Sequence, residues 1–94
     1  MNSQTPASGT LHILNKPPGH PRFTACLAAV QDTDLLLLTE NAVLALVDGH
    51  CTLPAAVHGL QADCRARGVD GGAREVDYPG MVDLTDRFSR IISW

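Results

Sequence analysis

Leu11-His12-Ile13-Leu14 is a short apolar run, closed by Asn15-Lys16-Pro17-Pro18-Gly19. Paired prolines withhold backbone donors and fix φ, so the run reads as a strand followed by a loop. Beyond Pro21 the apolar residues Phe23, Cys26, Leu27 and Val30 recur at i, i+3, i+4 and i+7, which is one face of a helix. Pro21 suits the first turn of that helix, where its missing N–H costs nothing. Leu35-Leu36-Leu37-Leu38 is apolar at every position, bounded by polar residues and too short for a helix. A strand covered on both faces, as in a parallel sheet, fits it best. Thr39-Glu40-Asn41 opens a second short helix over residues 42–47, and Asp48-Gly49 stops it.

The remaining elements follow the same alternation. Residues 55–60 read as a third strand, and residues 62–67 as one or two helical turns ended by Gly68 at the C-cap. Residues 69–73 are a loop, and Arg74-Glu75-Val76-Asp77-Tyr78 is a fourth strand. From Gly80 onward Met81, Leu84, Thr85 and Phe88 keep helical spacing. Ile91-Ile92-Ser93-Trp94 either adds an edge strand or packs on the core. A chain that alternates β and α in this way predicts an α/β fold, here a small doubly wound, mainly parallel sheet with flanking short helices. Ligands of such sheets bind beyond the carboxyl ends of the strands. Residues 1–10 are polar and predict an unstructured extension, which leaves residues 11–94 as a single domain.

Composition narrows the function classes. The chain has 94 residues, 45% hydrophobic and only 18% charged. The charged share falls below the ordinary level of about 25%, which points to surface covered by another chain. Net charge is −3, with one lysine, Lys16, and six scattered arginines. Phosphate binding draws on clustered cations, so no direct contact with nucleic acid is expected. No apolar run is long enough to cross a membrane, and no basic-then-apolar leader opens the sequence. The three cysteines, Cys26, Cys51 and Cys64, form no CxxC pair, which fits reduced thiols and a cytoplasmic setting.

Candidate chemistry is sparse. Cys26 lies on the apolar face of the first helix, near Arg22 and His20. Free cysteine packs readily in cores. A thiolate beside a helix N-terminus or a cation can instead carry sulfur. Both readings of Cys26 stand. Cys51 reads as an exposed loop thiol and Cys64 as a packing residue. Among the histidines, His12 on the first strand reads as hydrogen-bonded and structural, while His20 caps the first helix or tunes Cys26. Asp77 accepts hydrogen bonds at the start of the last helix. Tyr78, at the end of the fourth strand, is an interface candidate, because tyrosine is enriched at interfaces. Trp94 is the second such candidate, or packs on the core. No pair of His, Cys or carboxylate residues stands at metal-ligand spacing, and there is no glycine-rich phosphate loop. Neither a metal nor a cofactor is expected.

Several of these segments, taken in order, resemble one family. Leu11-His12-Ile13-Leu14-Asn15-Lys16 with a following proline resembles the opening of the TusB/DsrH family. Asp34-Leu35-Leu36-Leu37-Leu38 with Asn41-Ala42-Val43 resembles its leucine-rich middle, although the family usually has Asp-Gly or a similar pair where Asn41-Ala42 stands. Ala66-Arg67-Gly68, Val76-Asp77-Tyr78, Met81-Val82-Asp83-Leu84-Thr85 and Ser93-Trp94 complete the likeness. Residues 50–54 match nothing in it.

The resemblance implies a DsrEFH-like fold and a non-catalytic, mainly structural subunit in a heterohexamer with TusC/DsrF-like and TusD/DsrE-like partners. That complex takes persulfide sulfur from a donor protein, TusA, and passes it to an acceptor, TusE. The sulfur ends in the 2-thiouridine of the tRNA wobble position, or, in the Dsr branch, serves sulfur oxidation. The principal reactive cysteine of these complexes is on the TusD/DsrE subunit. Cys26 resembles a cysteine of the DsrH branch, which leaves an accessory persulfide carrier as an alternative. A small nucleotide- or ligand-binding α/β domain is a third reading.

Overall fold

A computed structural model describes residues 8–94. Its core is a five-stranded sheet in the order β4-β3-β2-β1-β5, with every neighbouring pair parallel. The strands are β1 (Leu11–Leu14), β2 (Leu35–Leu38), β3 (Val57–Leu60), β4 (Glu75–Val76) and β5 (Ile91–Ser93). The α-helices are α1 (Pro21–Ala29), α2 (Gln61–Ala66) and α3 (Tyr78–Arg87). The α/β fold with a parallel sheet is as the alternation predicts. Most of the expected extension, residues 1–7, lies outside the described residues, whereas Thr10 is buried.

Chain direction decides which face each helix covers. β1, β2, β3 and β4 step one way across the sheet, and then β5 returns to the far side of β1. Parallel crossovers keep one hand, so a reversal of direction sends the connection to the opposite face. The two apolar clusters match that requirement. One gathers Phe23 and Cys26 of α1, Cys64 of α2 and Leu14, Leu36 and Leu38 of the sheet. The other gathers Leu84 of α3 and Phe88, which caps that helix, with Leu11, Leu35 and Leu37. Alternate residues of β1 and β2 therefore feed opposite cores, and this is why all four leucines of β2 are buried.

Three elements differ from expectation. The second helix is a 3-10 helix over Glu40–Val47. Its buried residues Ala42, Val43, Ala45 and Leu46 repeat every three positions, the 3-10 period, and Leu44 and Val47 are left on the exposed stripe. The fourth strand has only two residues, because Asp77 caps α3 and Tyr78 and Pro79 already belong to its first turn. Tyr78 is thus not a strand residue at the sheet edge; it opens a helix and is exposed. Proline in a helical first turn ends the strand early, since it withholds a ladder donor while fitting the helix. The third strand starts at Val57, two residues later than expected. Ile91–Ser93 does form an edge strand, and Trp94 packs against the larger core as well.

Candidate functional site

Cys26 sits on the inner face of α1 at 0% exposure, within the larger apolar cluster. Its helix begins at His20, whose Nδ1 accepts the Arg22 backbone N–H at 3.0 Å, so the histidine acts as an N-cap. Burial pushes the Cys26 thiol up to about 11. A thiolate there is desolvated, and no cation offsets that cost. Cys64 is equally buried; burial, then Glu75 and Asp63, raise its thiol against a smaller opposing effect of Arg67. Cys51 is not an exposed loop thiol: it is half-buried against the larger core with Leu53, and burial and then Asp48 raise it.

A buried polar cluster lies where β1, β2 and β5 meet. His12 and Asp34 are 2% and 7% exposed, and His12 Nε2 stands 2.9 Å from Asp34 Oδ2. Asp34 also accepts the backbone N–H of Thr10 at 2.8 Å and of Gln31 at 2.9 Å. Burial on its own would raise the Asp34 carboxyl and is the largest single influence, but the donors Gln31, His12 and Thr10 together hold it below its ordinary value. On the other side of the imidazole, Trp94 Nε1 donates to His12 Nδ1 at 3.1 Å. The indole of Trp94 is therefore half-buried and tied into the sheet. His12 is hydrogen-bonded at both ring nitrogens, as a structural histidine should be. Sequence reasoning gave Asp34 no role beyond its place at the head of the leucine-rich segment. What marks it is the register: parallel pairing sets His12 beside Leu36, and Asp34, two residues earlier, shares that face, which the sequence alone does not display.

The carboxyl ends of β1, β2 and β3, where such folds bind ligands, are joined by a second set of hydrogen bonds. Lys16 Nζ donates to Asn15 Oδ1 at 2.6 Å and to the Trp94 carbonyl at 3.3 Å. Asn15 donates onward to Glu40 at 3.1 Å, and the Glu40 backbone N–H, at φ 50°, donates to Asp63 at 2.7 Å. Arg67 bonds Asn41 at 2.9 Å. These groups satisfy one another across the edge. An open groove of about 390 Å³ lies at the opposite end of the sheet, among Leu27, Val30, Asp34, Leu53 and Pro54. Among the described residues no three His, Cys, Asp or Glu side chains come together as a metal site, and no helix is long and apolar enough to cross a membrane.

Cys26, Tyr78 and Trp94 are not brought together. Cys26 lies under α1, Tyr78 opens α3 over the smaller core, and Trp94 joins His12 at the edge. The surface also carries apolar side chains: Leu44, Val47, Tyr78, Val82, Ile91 and Ile92 are large exposed hydrophobics. Tyr78 and Val82 stand one helical turn apart on α3.

Comparison with known proteins places this arrangement. The profile of the family described as "DsrH like protein" matches residues 16–91. The chain belongs to the TusB/DsrH family. Protein TusB of Escherichia coli strain SMS-3-5 / SECEC is 35% identical, over 89% of this chain and 99% of its own length. Protein TusB of Escherichia coli O1:K1 / APEC and of Shigella boydii serotype 18 are each 34% identical over the same shares. The family resemblance read from the segments is therefore established, and membership supports a sulfur-relay subunit connected with tRNA modification.

Proposed function

We propose that the chain is the TusB-like subunit of a TusBCD-type complex, where it supports persulfide transfer toward 2-thiolation of the tRNA wobble uridine and contributes surface rather than a reacting group. Family membership across residues 16–91 carries this reading. Two features of the molecule support it. The thiol best placed by sequence to carry sulfur, Cys26, is enclosed and raised to about 11. Large apolar side chains stay exposed on α3, on β5 and on the 3-10 helix, as on a protein that buries part of its surface against others. The partners are TusC/DsrF-like and TusD/DsrE-like subunits, and the reactive cysteine belongs to the latter.

Co-expression tests the reading. With TusC-like and TusD-like subunits, the chain is expected to elute as one stable hetero-oligomer, and to restore 2-thiouridine in cells lacking their own TusB. Cys26→Ala is expected to leave the thiolation level within twofold of the parent. A chain that stays monomeric beside those subunits, or fails to restore the modification, would overturn the reading.

A further inference from the structure

Trp94 and Asp34 stand at the two ring nitrogens of a buried histidine and ask different things of them. Indole nitrogen only donates, so His12 Nδ1, 3.1 Å away, must present a lone pair. Asp34, held as a carboxylate by Thr10 and Gln31, only accepts, so His12 Nε2 at 2.9 Å must carry the hydrogen. One form satisfies both neighbours: neutral imidazole with its proton on Nε2. Imidazolium satisfies Asp34 better and Trp94 not at all, because its added Nδ1–H would point at the indole N–H. The rings are 28° from coplanar with centroids 6.0 Å apart. With the nitrogens at 3.1 Å they meet edge to edge. The cation would therefore face the positive rim of the indole, not its π-face.

We propose that His12 and Trp94 form a proton-operated latch: the indole is docked while His12 is neutral and is let go when the imidazole takes a second proton. β5 is short, exposed at all three residues and paired on one side only; beside its ladder with β1, the Trp94 N–H on the Ile13 carbonyl and Lys16 on the Trp94 carbonyl, the indole is its side-chain anchor. The charged and titratable groups around the latch are few. Asp34 faces it from the segment before β2. Lys16 reaches the Trp94 carbonyl from the loop after β1. Arg90, just before β5, meets β1 through its backbone oxygen. α1 adds the enclosed thiol of Cys26 and the exposed Arg22, and α3 packs on the other face of the sheet. Of these groups, His12 is the one imidazole.

Trp94 is the one tryptophan in the chain, so its emission reads the latch directly. The experiment follows emission wavelength and acrylamide quenching of the full chain between about pH 8 and pH 5, together with two-bond nitrogen–proton correlations that report each histidine tautomer. The expected result is an Nε2-protonated His12 at the upper end. Acidification should bring a red shift with at least twofold greater quenching. His12→Gln can still accept from Trp94 and donate to Asp34 without titrating, and should hold the emission constant. Should that variant fail to fold, a chain with His20, His50 and His58 all changed to Gln should keep the full transition. An Nδ1-protonated tautomer, a flat profile in the parent, or a transition that disappears with the three other histidines would overturn the latch.

Discussion

Asp34 joins the chain before β1, the loop before β2 and the β1 histidine through one carboxyl group. It receives two backbone N–H groups and the His12 ring in a site almost closed to water. Losing an acceptor there strands buried donors, at about 1–3 kcal/mol. Asp34→Asn is expected to lower stability by about that amount in urea unfolding. The pH dependence has a definite sign. Because the Asp34 carboxyl is depressed in the folded state, its contribution is fully present above the unfolded value of about 3.9 and fades as pH falls through the lower folded value. The parent should therefore lose stability on acidification below about pH 4 more steeply than Asp34→Asn, as compared by urea midpoints. Cys26 gives a second expectation. A thiol raised to about 11 holds roughly one part in ten thousand as thiolate at pH 7. Native Cys26 should thus alkylate at least a hundredfold more slowly than the same residue in urea, followed by mass spectrometry. None of this was legible from residue type. Burial was one of the two readings that the helical face of Cys26 left open, and the hub role of Asp34 depends on strand register, which no local pattern displays.

At the level of elements, the hydrophobic pattern was a sound guide wherever one period dominated. β1, β2 and α1 follow from apolar runs or from a single helical face, and their bounds agree with expectation closely. The pattern failed where two periods overlap. Residues 42–47 are apolar throughout, so the three-residue repeat that selects a 3-10 helix is hidden until burial separates Leu44 and Val47 from their neighbours. It failed again at residues 74–78, where alternation suggested a strand but Asp77 and Pro79 start a helix. Asp77 Oδ1 accepts the Gly80 N–H at 2.8 Å. Asp77→Ala should therefore cost about 1 kcal/mol of stability, while Asp77→Ser should recover most of it, both by thermal unfolding. Glycine spacing adds a close approach that sequence does not show. A β-carbon on Gly59 would meet a Leu46 methyl carbon at 2.6 Å and the Cys64 sulfur at 3.2 Å. β3 can lie this close to the 3-10 helix and α2 because that side chain is missing, and Gly59→Ala is expected to destabilise by about 1–3 kcal/mol.

For the whole molecule, fold class and family were readable because both rest on the order of elements and not on their exact bounds. The surfaces by which it would join a complex were less readable, since apolar residues in a sequence are assigned to the core by default. Tyr78 and Val82 show the difference: 55% and 52% exposed, they add little to the isolated chain. Tyr78→Ala should leave unfolding within about 0.5 kcal/mol of the parent. If α3 meets the partner subunits, the same change should weaken assembly about tenfold or more in a titration with them. Strand order carries a consequence for biogenesis. Of the described strands, the one furthest along the chain closes the flank of the first, with the Trp94 N–H on the Ile13 carbonyl and the Leu11 N–H on the Arg90 carbonyl. Until β5 pairs, β1 has β2 on one side and a bare row of amides on the other. A chain that folds without docking β5 is therefore expected to offer that open edge to neighbouring chains.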